Sequence, residues 1–285
     1  MQNFNKYDLT FDDLNARIKE ILPEPLTVSE KLAIGKTILN CIDLTTLSGT
    51  DNRKKVEELS KQAISYKRDD LGIENTAAVC VYPVFAGTVS SVLSGSGVKT
   101  ASVAGAFPSG QSPLEIRIKE VEYALENGAE EIDMVISRGR LLEGDEDFVF
   151  EEVSAIKEVC GNAHLKVILE TGELKTVNLI RRASEIAILA GADFLKTSTG
   201  KIQPAATPGA LLIMLDTIKE YYNKTGRKIG VKPAGGISEP DDAIKYYLLT
   251  QAVLGNEWMN NSLFRIGASR LADKMYDFII DNSTF

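Results

Sequence analysis

The stretch from Leu165 to Lys196, LKVILETGELKTVNLIRRASEIAILAGADFLK, decides the fold. It opens on a run that is apolar apart from one lysine, Leu165–Leu169. It then passes through an amphipathic stretch from Glu173 to Ala190 and returns to a second short run, Asp193–Lys196. Strands buried on both faces of a parallel sheet read as near-continuous apolar runs, not as alternating ones. Two such runs joined by a helical crossover within roughly thirty residues form one βα repeat.

The same pattern extends outward in both directions. Apolar or β-branched runs recur at Thr37–Ile42, Ala77–Tyr82, Thr100–Ala106, Glu131–Ile136, Ile229–Lys232 and Leu263–Gly267. With the two above they make eight, which predicts an α/β fold, a (β/α)8 TIM barrel. A doubly wound sheet is the alternative, and eight repeats favour closure. Helix signals fit between the runs. Ser112-Pro113 opens LEIRIKEVEYALEN before Gly128, and Thr207-Pro208 opens a segment closed by Gly226. A cap, a proline at the first helical position and a glycine past the end is the expected asymmetry. Residues 1–36 precede the first run and are read as an N-terminal helical extension of two short helices. No linker, low-complexity tract or composition shift divides residues 1–285, so one domain is expected.

Composition removes several function classes. A net charge of -8 is unfavourable for nucleic acid or an anionic membrane surface, although a locally basic site remains compatible with a small anion. No stretch is long and apolar enough to span a membrane, and the N-terminus lacks the apolar core of a signal peptide. The three cysteines are far apart and form no CxxC pair, as expected of reduced thiols in a cytoplasmic protein. The single histidine, His164, precludes a two-histidine metal site, and no GxSxG elbow exists for a serine triad. It is read as a surface or loop residue before the fifth strand.

In a parallel barrel the chemistry sits at the C-terminal ends of the strands. There the sequence places Asp43, Cys80, Asp133, Lys166, Glu170, Lys196 and Lys232. Three lysines in apolar strands are unusual, because lysine is almost never fully buried without a partner. Each taken singly could be a structural ion pair with Asp43, Asp133 or Glu170. Three on successive strands point to a lysine nucleophile. A lysine amine attacks a carbonyl only when neutral, and lowering its pKa by about three units from ~10.4 needs ~4 kcal/mol. Burial and a neighbouring cation both act that way. Lys196 beside Lys232 is such an arrangement, with Asp133 as a candidate acid/base. Cys80 is read as a core filler whose strand-end position could bring it near substrate.

Short glycine turns follow the last three strands: Thr199-Gly200-Lys201, Gly235-Gly236 and Gly267-Ala268-Ser269. Their backbone N–H groups can approach an anion closely, and loops after strands 7 and 8 are the usual phosphate site of such barrels.

The segments IDLTTL, CVYP, EIDMVI, LKVILETGEL, GADFLKTSTGK, GVKPAGGI and FRIGAS resemble, in order and spacing, those of deoxyribose-phosphate aldolases, from about residue 37 to about residue 275. The resemblance implies reversible aldol cleavage of 2-deoxy-D-ribose 5-phosphate to acetaldehyde and D-glyceraldehyde 3-phosphate, with no metal and no organic cofactor. It implies Lys196 as the Schiff-base lysine, Asp133 as the proton-transfer group and Lys232 as the group that lowers the nucleophile's pKa. Asp43 and Lys166 match further polar positions of the pocket. Gly200, Lys201, Gly235, Gly236, Gly267 and Ser269 match the phosphate end, with Thr199 and Cys80 as further substrate contacts. The partner expected is a phosphosugar, and association of identical chains stays open. Two positions depart from the pattern: Arg270 stands where a second hydroxyl residue is usual, and Ala205 where Asn is common. Both fall near the phosphate end. Competing readings are another class I aldolase or a transaldolase-like enzyme, and a sugar-phosphate-binding protein without turnover.

Overall fold

The computed structural model describes residues 4–22 and 25–283. Residues 1–3, 23–24 and 284–285, which the expected extension and domain include, lie outside the described residues. Eight strands run β1 Ile42–Thr45, β2 Ala78–Val81, β3 Lys99–Ala104, β4 Glu131–Val135, β5 His164–Ile168, β6 Phe194–Lys196, β7 Gly230–Lys232 and β8 Ile266–Ala268. Every neighbouring pair is parallel, in the order β7-β6-β5-β4-β3-β2-β1-β8. Parallel bridges Val231–Phe264 and Ala234–Gly267 join the two ends, with Gly267 N donating to Pro233 O at 3.0 Å. The fold is therefore a (β/α)8 barrel.

Among the described residues twelve α-helices accompany the strands: α1 Phe11–Ile21, α2 Val28–Asn40, α3 Arg53–Ala63, α4 Ala86–Leu93, α5 Leu114–Glu126, α6 Arg138–Leu142, α7 Glu146–Cys160, α8 Thr171–Leu174, α9 Val177–Leu189, α10 Pro208–Thr225, α11 Pro240–Leu254 and α12 Leu271–Asn282. α10 starts and stops where its sequence signals lie. The Thr207 hydroxyl accepts from Ala210 N, Pro208 occupies the first turn, and Gly226 ends the helix at φ 73°. The two helices of the extension each begin with a reciprocal capping box, Thr10 with Asp13 and Thr27 with Glu30. α1 buries Leu14 and Ile18, and Arg17 pairs with Asp216 of α10 at 2.7 Å.

Most strand boundaries differ from the sequence reading by one or two residues, and three differences are larger. Thr37–Asn40 is the end of α2, not the first strand, which runs from Ile42 to Thr45. Apolar residues continue across the joint, so hydrophobicity alone marks no boundary there. The expected helix Glu173–Ala190 is broken: Lys175 turns left-handed at φ 61°, and Thr176 caps a new helix, α9. The eighth strand lies later than Leu263–Gly267, at Ile266–Ala268, while Phe264 only bridges to Val231. His164 is exposed as expected, but it begins β5 and does not precede it.

Candidate active site

Strand register brings the charged side chains together. Side chains on one strand alternate between faces, so Glu131 and Asp133 of β4 point the same way. Asp133 pairs in register with Lys166 of β5, and Lys196 of β6 with Lys232 of β7. All of them are buried inside the barrel. Lys166 Nζ lies 2.6 Å from Glu131 Oε2, 2.9 Å from Asp133 Oδ1 and 3.5 Å from Asp43 Oδ2. Lys232 Nζ lies 2.5 Å from Asp43 Oδ2 and 2.7 Å from Asp133 Oδ2. Lys196 Nζ reaches one carboxylate oxygen, Asp133 Oδ2, at 2.7 Å. The Arg265 guanidinium closes the lower end, 2.6 Å from Asp43 and 2.7 Å from Glu131.

The cluster holds three carboxylates against four cations, so one proton is in surplus. Burial disfavours every charged form, and the ion pairs decide which survive. Burial pushes the Lys196 amine down. Asp133 opposes this, the Lys232 ammonium reinforces it, and the net shift is downward. Burial also acts against Lys232 and Lys166, but there the surrounding carboxylates win and hold both above the ordinary lysine value. Burial would raise Asp133, yet Lys166, Lys196 and Lys232 hold it well below the carboxylate range. The Cys80 thiol, 3.9 Å from Asp133 Oδ2, is pushed up to about 11 by burial and by that carboxylate. It stays a thiol.

A cleft of about 270 Å³ opens at the C-terminal ends of β6, β7 and β8. Lys196 lies in its wall, together with Thr199, Gly200, Lys201, Gly235, Gly236, Gly267, Ser269 and Arg270. Asp133, Lys232, Asp43, Lys166 and Cys80 do not line it; they lie buried behind Lys196. Two glycines are required by space. A Cβ on Gly235, whose φ is +86°, would sit 2.7 Å from Ala205 Cβ. One on Gly267 would sit 2.8 Å from Ala234 Cβ and 3.0 Å from Lys232 Cε. Arg270 forms no ion pair among the described residues, and Asp273 is already engaged by Gln62 and Tyr66.

Sequence reading missed two members of the cluster, Glu131 and Arg265. Each carried a signal: Glu131 is two residues before Asp133 on the same strand, and Arg265 is a lone cation inside the apolar run LFRIGA. Glu170, considered as a partner for the lysines, pairs with none of them. Its carboxylate accepts from Thr199 instead.

The sequence model of the DeoC/LacD family of aldolases matches residues 37–252. The chain belongs to this family. The aldolase is 48% identical over 240 residues to a putative deoxyribose-phosphate aldolase of Caenorhabditis elegans, covering 84% of this chain and 79% of that protein. It is 45% identical over 241 residues to the deoxyribose-phosphate aldolase of Homo sapiens, covering 81% and 76%. Its structure resembles the tetrameric deoxyribose phosphate aldolase of Aeropyrum pernix with a TM-score of 0.68 at 28% identity, over 88% of this chain and 97% of that one. No helix among the described residues is long and apolar enough to cross a membrane.

Proposed function

We propose that this aldolase cleaves 2-deoxy-D-ribose 5-phosphate reversibly to acetaldehyde and D-glyceraldehyde 3-phosphate through an imine on Lys196. The observation that carries the reading is the position of Lys196. It is the cluster's only lysine in the cleft wall, it is held by a single carboxylate oxygen, and its pKa is driven down by burial and by Lys232. In this reading the neutral amine attacks the C1 carbonyl of the open-chain sugar, and water leaves as the imine forms. The 3-hydroxyl then gives up its proton while the C2–C3 bond breaks. The electrons of that bond pass to the imine, protonated on nitrogen, which becomes an enamine, and glyceraldehyde 3-phosphate departs. Protonation at C2 and addition of water release acetaldehyde and restore the amine. Asp133, 2.7 Å from the amine, exchanges protons with it, and Lys232, hydrogen-bonded to the same oxygen, relays them. The phosphate is assigned to the Gly200-Lys201, Gly235-Gly236 and Gly267–Ser269 turns. Asp43, Lys166 and Cys80 then act from behind as the electrostatic support of Asp133 and Lys232, and not as direct substrate contacts.

The test is borohydride reduction in the presence of acetaldehyde, followed by peptide mapping. An ethyl group on Lys196 is expected, and an adduct on Lys232 or Lys166 would overturn the assignment. A substrate panel of deoxyribose 5-phosphate against longer sugar phosphates separates this reading from other class I aldolases. Release of acetaldehyde separates it from a binding protein. A phosphosugar partner, a cytoplasmic setting and a homo-oligomer belong to the same reading. The free, buried thiols of Cys41, Cys80 and Cys160 support the second, and the tetrameric Aeropyrum relative supports the third.

A further inference from the structure

Glu170 is a buried titratable group that the chemistry above leaves without a task. It stands past the end of β5 at φ 53°, a left-handed conformation that a residue with a Cβ seldom takes unless its surroundings enforce it. None of the cluster's lysines reaches it. Its two oxygens accept from Thr199 N at 3.2 and 3.3 Å, and Oε2 also accepts from the Thr199 hydroxyl. The Thr199 oxygen in turn accepts from Lys201 N at 3.1 Å. Thr199 and Lys201 both line the cleft, and Lys201 Nζ is tied across it to Leu47 O.

A hydroxyl has one hydrogen to donate and two lone pairs. The Thr199 hydrogen is committed to Glu170 and one lone pair to Lys201 N. What remains for the cleft is an acceptor only. We propose that Glu170 is a positioning residue of the aldolase site. By taking the Thr199 hydroxyl hydrogen it leaves that oxygen able to accept, and not donate, a hydrogen bond at the cleft wall, so that the wall selects a substrate hydroxyl. The proposal rests on the aldolase reading above, which supplies a substrate bearing free hydroxyls. It accounts for a buried carboxylate that forms no ion pair among the described residues, and for a strained backbone at the point that aims it at Thr199.

Glu170→Gln tests this with little change of shape. The amide satisfies Thr199 best with its oxygen on Thr199 N and its NH2 donating to Thr199 Oγ, which forces the hydroxyl hydrogen toward the cleft. Two assays are then compared with the wild type. One is cleavage of deoxyribose 5-phosphate, whose hydroxyls meet the reversed group. The other is borohydride trapping of acetaldehyde, which has no hydroxyl, on Lys196. A loss of about 10- to 100-fold in kcat/KM for the sugar phosphate is expected, with trapping at the wild-type rate. Thr199→Val, which removes the hydroxyl and keeps the branched shape, should give the same split. Adding Glu170→Gln to it should cost nothing more. Equal losses in both assays would mean that Glu170 merely holds the loop, and would overturn the proposal, as would no loss in either. Wild-type protein that releases no acetaldehyde would overturn the aldolase reading and this proposal with it.

Discussion

Removing the positive charge of Lys232 should move the pH dependence of imine formation on Lys196. The two amines each lie 2.7 Å from Asp133 Oδ2, so their nitrogens are at most twice that distance, 5.4 Å, apart. At that distance and an effective dielectric constant of about 20, two unit charges repel by about 3 kcal/mol, or about two pKa units. Lys232→Met abolishes this repulsion and frees Asp133 to pair more closely with Lys196. Both changes favour the protonated amine, so the Lys196 pKa rises. Neither carboxylate is orphaned: Asp43 keeps Arg265 and Lys166, and Asp133 keeps Lys166 and Lys196. The fold should therefore survive, as a thermal melt would show. The assay is the initial rate of acetaldehyde trapping by borohydride as a function of pH. The rate rises with pH as the amine loses its proton, and in the variant this limb should lie about two pH units to the alkaline side. Below the limb that is a loss of about 100-fold at a fixed pH. A limb that stays in place or moves to acid would refute the electrostatic role of Lys232, whatever the height of the profile.

Three other outcomes follow from the same geometry. Asp133→Asn keeps the shape and removes the base, and turnover should fall by ~100- to 10,000-fold; near-native activity would reduce Asp133 to a structural partner of the lysines. EDTA should leave activity intact, because no group of three or more His, Cys, Asp or Glu residues among the described residues could hold a metal ion; loss of activity restored by zinc would count against the imine mechanism. Arg270→Ser should raise KM for deoxyribose 5-phosphate roughly 10- to 150-fold and leave unphosphorylated deoxyribose unaffected; equal small effects on both would make Arg270 a bystander at the rim.

The fold was legible because a parallel strand buried on both faces writes a continuous apolar run, and eight such runs leave few ways to pack. What blurred was the join between helix and strand. In ILNCID a single polar residue, Asn40, is all that separates the apolar residues of α2 from those of β1, and only the pairing of Ile42 with Ile266 of β8 fixes where the strand begins. That Lys196 and the glycine turns would meet in one cleft was legible for the same reason, since they stand where their strands end. Glu131 and Arg265 were passed over despite the signal each carried, because they face the interior one layer lower, where an apolar side chain is the ordinary expectation. The direction of the Glu170 carboxylate was also out of reach, since it depends on a left-handed turn that no glycine announces.

The proposed choice of Lys196 as the nucleophile rests on counting charges as much as on place. A guanidinium does not lose its proton in a protein, so Arg265 is a fixed cation. Lys166 faces three carboxylates and Lys232 faces two, which makes either proton costly to remove. Lys196 has one carboxylate, shared with both neighbours, and it alone of the three lysines borders the cleft where a proton can reach solvent or substrate. When it deprotonates, three carboxylates face three cations and the barrel interior is neutral. The buried pairs at the lower end thus do more than fill space. They hold every other member in its charged form, so the proton most readily lost is that of Lys196, and in the proposed mechanism the neutral amine left behind attacks the carbonyl.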